Sequence, residues 1–203
     1  MREGFQFLSV HRDAARGITA VALHRGGITA LTLTALLLER NTFHDPLDSA
    51  AGLAGLSFTL SIAAVGFVIG AFIAPLGVSV MGRHRWIRLS MACASISALL
   101  LVTERTPIIL AATAFLTALF GQSLKVTNDA LVQSKIDDFF RGRVFSVYDV
   151  VVNAAIVTFS LFAAWILPIS GDSAALPLSV SIIWAVAAIV MLHPKAFFLK
   201  DAA

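Results

Sequence analysis

The chain has 203 residues, of which 58% are hydrophobic and 13% charged, and its mean hydropathy is +0.87. Those values exclude a soluble globular domain and a disordered chain. The net charge of +3 and a pI near 9.5 do not point to nucleic acid, because the basic residues lie in alternate loops and form no single patch.

About twenty apolar residues at 1.5 Å rise cross a hydrocarbon core. Six stretches qualify, near 18–38, 53–80, 86–103, 107–134, 143–167 and 175–193. The expected fold is therefore all-α, a polytopic membrane protein with six transmembrane helices and the lipid bilayer as its first partner. Residues 1–17 form a weakly amphipathic segment, with Phe5, Phe7, Leu8 and Val10 among Arg and Asp. They read as a short helix on the cytoplasmic face or as a disordered tail. Charges scattered through this segment leave no apolar core for a signal peptide.

The six-helix domain runs over 18–195. Its first span carries Arg25 near its start. The second has no charged residue between Asp48 and Arg83, and its small residues Gly66, Gly70 and Ala74 recur every four positions. Ala63 and Gly77 lie close to that face. Helices associate in lipid through such strips, because apolar burial gives protein no advantage over lipid. Pro75 removes a backbone bond from this helix, giving a static kink or a bend used in gating. In the third span the single Cys93 reads as a small core residue.

Thr103–Pro107 forms a tight turn with Pro107 at a helix start. A second turn spans Pro168–Asp172. Residues 196–203 make a short cytoplasmic tail. With loops this short, helices consecutive in sequence are expected to be antiparallel and in contact.

Orientation follows from Lys and Arg. Twelve of them (Arg2, Arg12, Arg16, Arg25, Arg83, Arg85, Arg88, Lys135, Arg141, Arg143, Lys195 and Lys200) fall on one side. Only Arg40 and Arg105 fall on the other, among Glu39, Asp45, Asp48, Glu104 and Asp172. The positive-inside rule then puts both termini in the cytoplasm, as an even number of spans requires. Arg83, Arg85, Arg141 and Arg143 are the cytoplasmic basic loops.

The polar chemistry is concentrated in Gly121–Asn153. Lys125 and Asp129 are four residues apart, as are Asp149 and Asn153, so each pair shares one helix face. In an antiparallel hairpin centred near Phe139, Asp129 would lie level with Asp149, and Lys125 with Asn153. Ionisable groups at that depth cost about 2.5–3.5 kcal/mol each and should face the protein interior. Asp149 then needs a partner or a proton, and Arg25 is a candidate partner. Three readings stay open: a gate closing the cytoplasmic side, a coupling or substrate site, and snorkelling near the interface.

An enzyme finds little support. The five histidines (His11, His24, His44, His84 and His193) are read as helix-end or loop residues, which leaves no His inside a span for an intramembrane serine protease. Asp129 and Asp149 stand on separate helices, which does not suit a metal-dependent transferase. No HExxH, GxGxxG or phosphate-cradling loop is present. No catalytic residue, metal ligand or cofactor is therefore assigned.

The residues GQSLKVTNDALVQ, followed by a short acidic loop and RGRVFSVYDVVVNAA, resemble the tenth-to-eleventh-helix region of major facilitator superfamily transporters. The likeness is to bacterial efflux-type members. EGFQFLSVHRDAARGITAVALHRGG resembles the family's central loop and seventh helix. ALLLERNTF with AGLAGL resembles the seventh-to-eighth-helix junction, and GRHRW the basic loop after the eighth. The resemblance implies half of a major facilitator fold, its C-terminal six helices. It also implies a secondary-active transporter in the bacterial inner (cytoplasmic) membrane, a proton-coupled exporter (antiporter) of small amphipathic molecules. Because substrate passes between two halves, a separate N-terminal-half polypeptide or a second copy is the expected partner. The alternative is a truncated, non-transporting fragment. One departure is clear: the family pairs this loop's basic cluster with an Asp, and no acidic residue occurs between Asp48 and Glu104.

Overall fold

The computed structural model of the chain describes residues 12–135 and 138–191, and the side chains of Asp13, Lys135, Asp138–Phe140 and Met191 lie outside the description. Residues 1–11 and the tail at 196–203 also lie outside it. Among the described residues six helices follow one another: α1 Arg12–Asn41, α2 Ser49–Met81, α3 Arg83–Thr103, α4 Pro107–Lys135, α5 Asp138–Ile166 and α6 Ala175–Val186. The last continues into a π-helical turn, Ala187–Met191. No strand occurs among the described residues. The fold is all-α, and α1 to α5 are each long and apolar enough to cross a membrane. Arg12–Gly17 belong to α1, so this helix starts before the apolar run and takes in the end of the amphipathic segment.

Local chemistry sets the boundaries. The Asp48 carboxylate accepts the Ala51 N–H at 3.0 Å and caps the start of α2. Thr106 does the same for Ile109 at the start of α4, where Pro107 lacks the N–H that would be orphaned anyway. Between α2 and α3 stands Gly82 alone, at φ +78°, which lets one helix end and the next begin without a loop. Helix α2 runs through Pro75 to Met81, so the proline does not terminate it.

The packing order departs from the sequence order. The two largest interfaces are α2 with α4 and α1 with α5, followed by α4 with α3 and α3 with α6. Both leading pairs are parallel. Gly66 and Gly70 press against the backbone at Phe115 and Leu119, advancing in the same direction along α2 and α4. Gly26 meets Ala155 and Phe159 of α5, while Asn128 touches both Gly17 and Tyr148 near the start of α1 and α5. Consecutive helices α2 and α3, or α5 and α6, touch only slightly, and α4 and α5 less still. The expectation that sequence neighbours pack together holds for α3 with α4 and for α1 with α2, and is corrected for α2–α3, α4–α5 and α5–α6. Short loops fix the alternation of direction, but α1 stands between α4 and α5 and holds them apart.

Helix α1 is the hub, touching all five other helices. More than half of its apolar stretch is buried (56%), against 17% in α2 and 11% in α5. Its glycines admit the neighbours: Gly17 faces Asn128 of α4, Gly26 Phe159 of α5, and Gly27 the indole of Trp184 in α6. Trp184 is fully buried, donates its Nε1–H to the Leu23 carbonyl at 3.0 Å and stacks on His24. Helices α3 and α6 are joined by reciprocal bonds, with each of Ser95 and Ser181 donating to the other's carbonyl at 2.9 Å.

The end of the bundle bearing Arg83 and the α4–α5 connection is called the basic end here. At the opposite end three loops are tied together. Asn41 and Thr42 donate to the carbonyls of Ile169 and Ser170 at 2.6 and 2.7 Å, and Arg105 pairs with Asp172.

Candidate functional site

Toward the basic end, α1, α4 and α5 enclose a cavity of about 100 Å³. Arg25, Lys125, Asp129 and Asp149 line it together with Val21, Phe145, Tyr148 and Val152. Four charged side chains thus converge on one cavity. The i, i+4 spacing on α4 does what helical geometry allows, and Lys125 Nζ lies 2.5 Å from Asp129 Oδ2. The second oxygen of Asp129 accepts the Tyr148 hydroxyl at 2.9 Å. Asn128, fully buried, donates to the same phenol at 3.4 Å, and its Oδ1 has no hydrogen-bond partner. Asp129 is thereby held from both sides, by an ammonium on its own helix and a phenol from α5.

The expected hairpin register does not form. Asp149 lines the cavity but is exposed, and its carboxylate has no ion-pair or hydrogen-bond partner among the described residues. Asn153 is exposed, lies off the cavity and returns its amide to the Asp149 carbonyl of its own helix at 2.8 Å. The reason is the intervening α1: with α4 and α5 held apart, the residue that reaches Asp129 is the one longer than Asp149, namely Tyr148. Arg25 makes no ion pair with Asp149. Its guanidinium sits 5.5 Å from the centre of the Phe67 ring of α2, a cation–π distance, while still lining the cavity.

The basic loop residues divide. Arg83 donates to Ser134 Oγ at 3.0 Å and so ties the start of α3 to the end of α4. Arg85, Arg141 and Arg143 are exposed at the first turns of α3 and α5. Gly66, Gly70 and Ala74 are buried, the two glycines against α4, whereas Gly77 faces the Trp86 ring of α3. Cys93 is half-buried.

Two ionisable groups were misplaced by sequence reasoning. His24 is not at a helix end: it lies midway along α1, 2% exposed, stacked on Trp184 at 4.6 Å and pressed against Gly121. Glu39, read as part of an acidic loop, is 3% exposed inside the α1–α2 interface, where it accepts the Thr59 hydroxyl at 3.1 Å. A helical phase drawn through Leu31, Ala35 and Leu38 would have put Glu39 beside the buried face.

A second cavity, of about 90 Å³, lies between α1, α2 and α4. Its lining is apolar except for the hydroxyls of Thr32, Thr59, Thr113 and Thr117.

No family model matches the chain, and no solved structure matches it. Two curated relatives do, an uncharacterized MFS-type transporter of Mycobacterium bovis and one of Mycobacterium tuberculosis. Each is 28% identical over 164 residues, covering 78% of this chain and 35% of the relative. The chain is a relative of major facilitator transporters. Both the relatives' names and the six-helix bundle agree with half of a major facilitator fold, and the chain is an integral membrane protein. It spans about a third of the length of the major facilitator relatives it matches. Those relatives are named as transporters and not as enzymes.

Proposed function

We propose that the chain is the C-terminal half of a secondary-active transporter, a proton-coupled exporter of small amphipathic molecules that needs a second six-helix half. The carrying observation is the convergence of Arg25, Lys125, Asp129 and Asp149 on one cavity between three helices of an apolar bundle. Intramembrane charges are costly, and where they occur they mark a pathway or a switch. The relatives' names support transport, and the long apolar sides of α2 and α5 left exposed support a second half packing there. The bacterial transporter relatives support a place in the inner membrane, and the charge count supports an orientation with the basic end and both termini cytoplasmic. The Lys125–Asp129–Tyr148 group then lies on the cytoplasmic side and acts as a gate, with Asp149 free to exchange a proton or meet the substrate.

Native mass spectrometry of the chain extracted mildly from its own membranes tests the partner. The expected result is a complex with a second polytopic chain or with another copy. That complex, in proteoliposomes under an imposed pH gradient, should move an amphipathic fluorescent cation, and Asp129→Asn should abolish the flux. A lone chain with no gradient-driven flux would refute the reading in favour of a non-transporting fragment.

A further inference from the structure

At the end of the bundle away from the charged cavity, Glu39 is buried against α2. Thr59 donates its hydroxyl to Glu39 Oε1 at 3.1 Å. His44 Nδ1 lies 3.5 Å from Oε2 and 2.9 Å from the Glu39 carbonyl oxygen. A Cβ on Gly55 would run into Oε2, so α2 closes over the carboxylate with no room for a larger residue there. The two side chains differ in access: Glu39 is 4% exposed and His44 is 34% exposed.

Among the described residues no permanent cation balances Glu39. Helix α2 supplies no charged residue at all, and α4 supplies none before Lys125. Arg40, Asp45, Asp48 and Glu104 are exposed, Asp48 is engaged in capping α2, and Arg105 is paired with Asp172. A buried carboxylate without a cation is costly, and a single proton removes that cost. It does so either on the carboxylate itself or on the imidazole beside it.

We propose that Glu39 and His44 together hold one exchangeable proton, taken from the water at this end of the bundle and signalled to the neighbouring cavity through Thr59. His44 is the wet side of the site and Glu39 the dry side. The proton enters as an N–H bond on the imidazole or passes on to form an O–H bond on the carboxyl. While Glu39 is ionised, the Thr59 hydroxyl hydrogen is committed to it. A proton passed from His44 forms the O–H bond at Oε2, and rotation of the carboxyl about its own bond exchanges the two oxygens, so that the O–H faces Thr59; the carboxyl is then the donor and Thr59 the acceptor. The Thr59 hydrogen is then released into the 90 Å³ cavity, which Thr59 lines and where the buried Thr113 hydroxyl has no hydrogen-bond partner. Protonation of the carboxyl therefore turns one wall of that cavity from acceptor to donor, and the preferred occupant from a donor to an acceptor. The link to transport rests on the function proposed above, but proton occupancy does not, and it is measured without transport.

The test is pH-difference infrared spectroscopy of the full chain in nanodiscs, with glutamate labelled by ¹³C at its side-chain carboxyl. The sequence has only Glu3, Glu39 and Glu104, so few signals compete. As pH falls through the histidine range, roughly 5–8, either of two changes supports the proposal. One is an isotope-shifted carboxylic-acid band that survives in Glu104→Gln and vanishes in Glu39→Gln. The other is an imidazolium signal that is lost in His44→Gln and changed in Glu39→Gln. In Thr59→Val, proton uptake should persist with the carbonyl frequency shifted. If the labelled wild type shows no carboxylic-acid band over that range and His44→Gln removes no imidazolium signal, the proposal is overturned. Proton uptake together with absent flux in the assembled complex would instead sink the transporter reading and leave this site standing.

Discussion

Substituting the glycines of α2 probes the parallel α2–α4 seam directly. A Cβ added at Gly66 would fall within 3.0 Å of the Phe115 carbonyl oxygen, and one at Gly70 would meet the Leu119 carbonyl oxygen in the same way. Both obstacles are backbone, so no side chain can turn aside, and α2 has to withdraw by on the order of 1 Å. A gap of that size forfeits about half of the dispersion energy of each contact along the seam. The resulting cost is about 1–3 kcal/mol for Gly66→Ala or Gly70→Ala. At roughly 2–4 °C per kcal/mol for a chain of this size, that is a fall in Tm of about 2–12 °C. One displacement relieves both clashes, so the double variant should lose less than the sum. Cys93, the only cysteine and half-buried, supplies the readout: a thiol-reactive fluorophore reports its exposure as the chain unfolds on heating. Gly142, with nothing within 4 Å of an added Cβ, is the control, and Gly142→Ala should leave Tm unchanged or slightly raised. Equal stability of Gly66→Ala and wild type, or an equal loss in Gly142→Ala, would refute the close backbone contact.

Other substitutions separate the polar contacts. Asp129→Asn should lower Tm more than Asp149→Asn, since only Asp129 is engaged by Lys125 and Tyr148; the same Cys93 assay ranks them. Tyr148→Phe should cost about 1 kcal/mol, the scale of one hydrogen bond, and should have little further effect in an Asp129→Ala background, as a double-mutant cycle would show. Removing both reciprocal bonds with Ser95→Ala and Ser181→Ala should cost about 0.6–2 kcal/mol in thermal unfolding. Asp172→Ala should change stability by less than about 1 kcal/mol, with the difference shrinking in high salt, because the pair with Arg105 is exposed.

The helices were legible because each apolar run is long, and hydrocarbon thickness sets its length. Their neighbours were not. An apolar surface carries no address, and short loops restrict direction without specifying which helix stands alongside. The glycine strip at Gly66 and Gly70 marked a close contact in the sequence but could not name α4 as its partner. Lys125 and Asp129 could be paired because both sit on one helix, where spacing decides geometry. The symmetric pairing of Asp129 with Asp149 failed because it assumed a hairpin that α1 wedges open. Glu39 and His24 were missed for a simpler reason: polar residues near the end of a run were assigned to loops, though α1 continues past both.

The parallel pairing of α1 with α5 has a consequence for how the chain is made. At about 5–20 residues per second, the residues between the end of α1 and the end of α5 take roughly 6–25 s to synthesise. For that interval α1 is already inserted, yet the face that α5 will cover, with Arg25 nearby, is still open. Helix α4 arrives in the meantime and can shelter part of it. The insertion machinery, or a lipid with an acidic headgroup, must cover the rest until α5 emerges. A ribosome pause within α5 would lengthen that exposure, so codon choice in this late segment should govern how much of the early one survives.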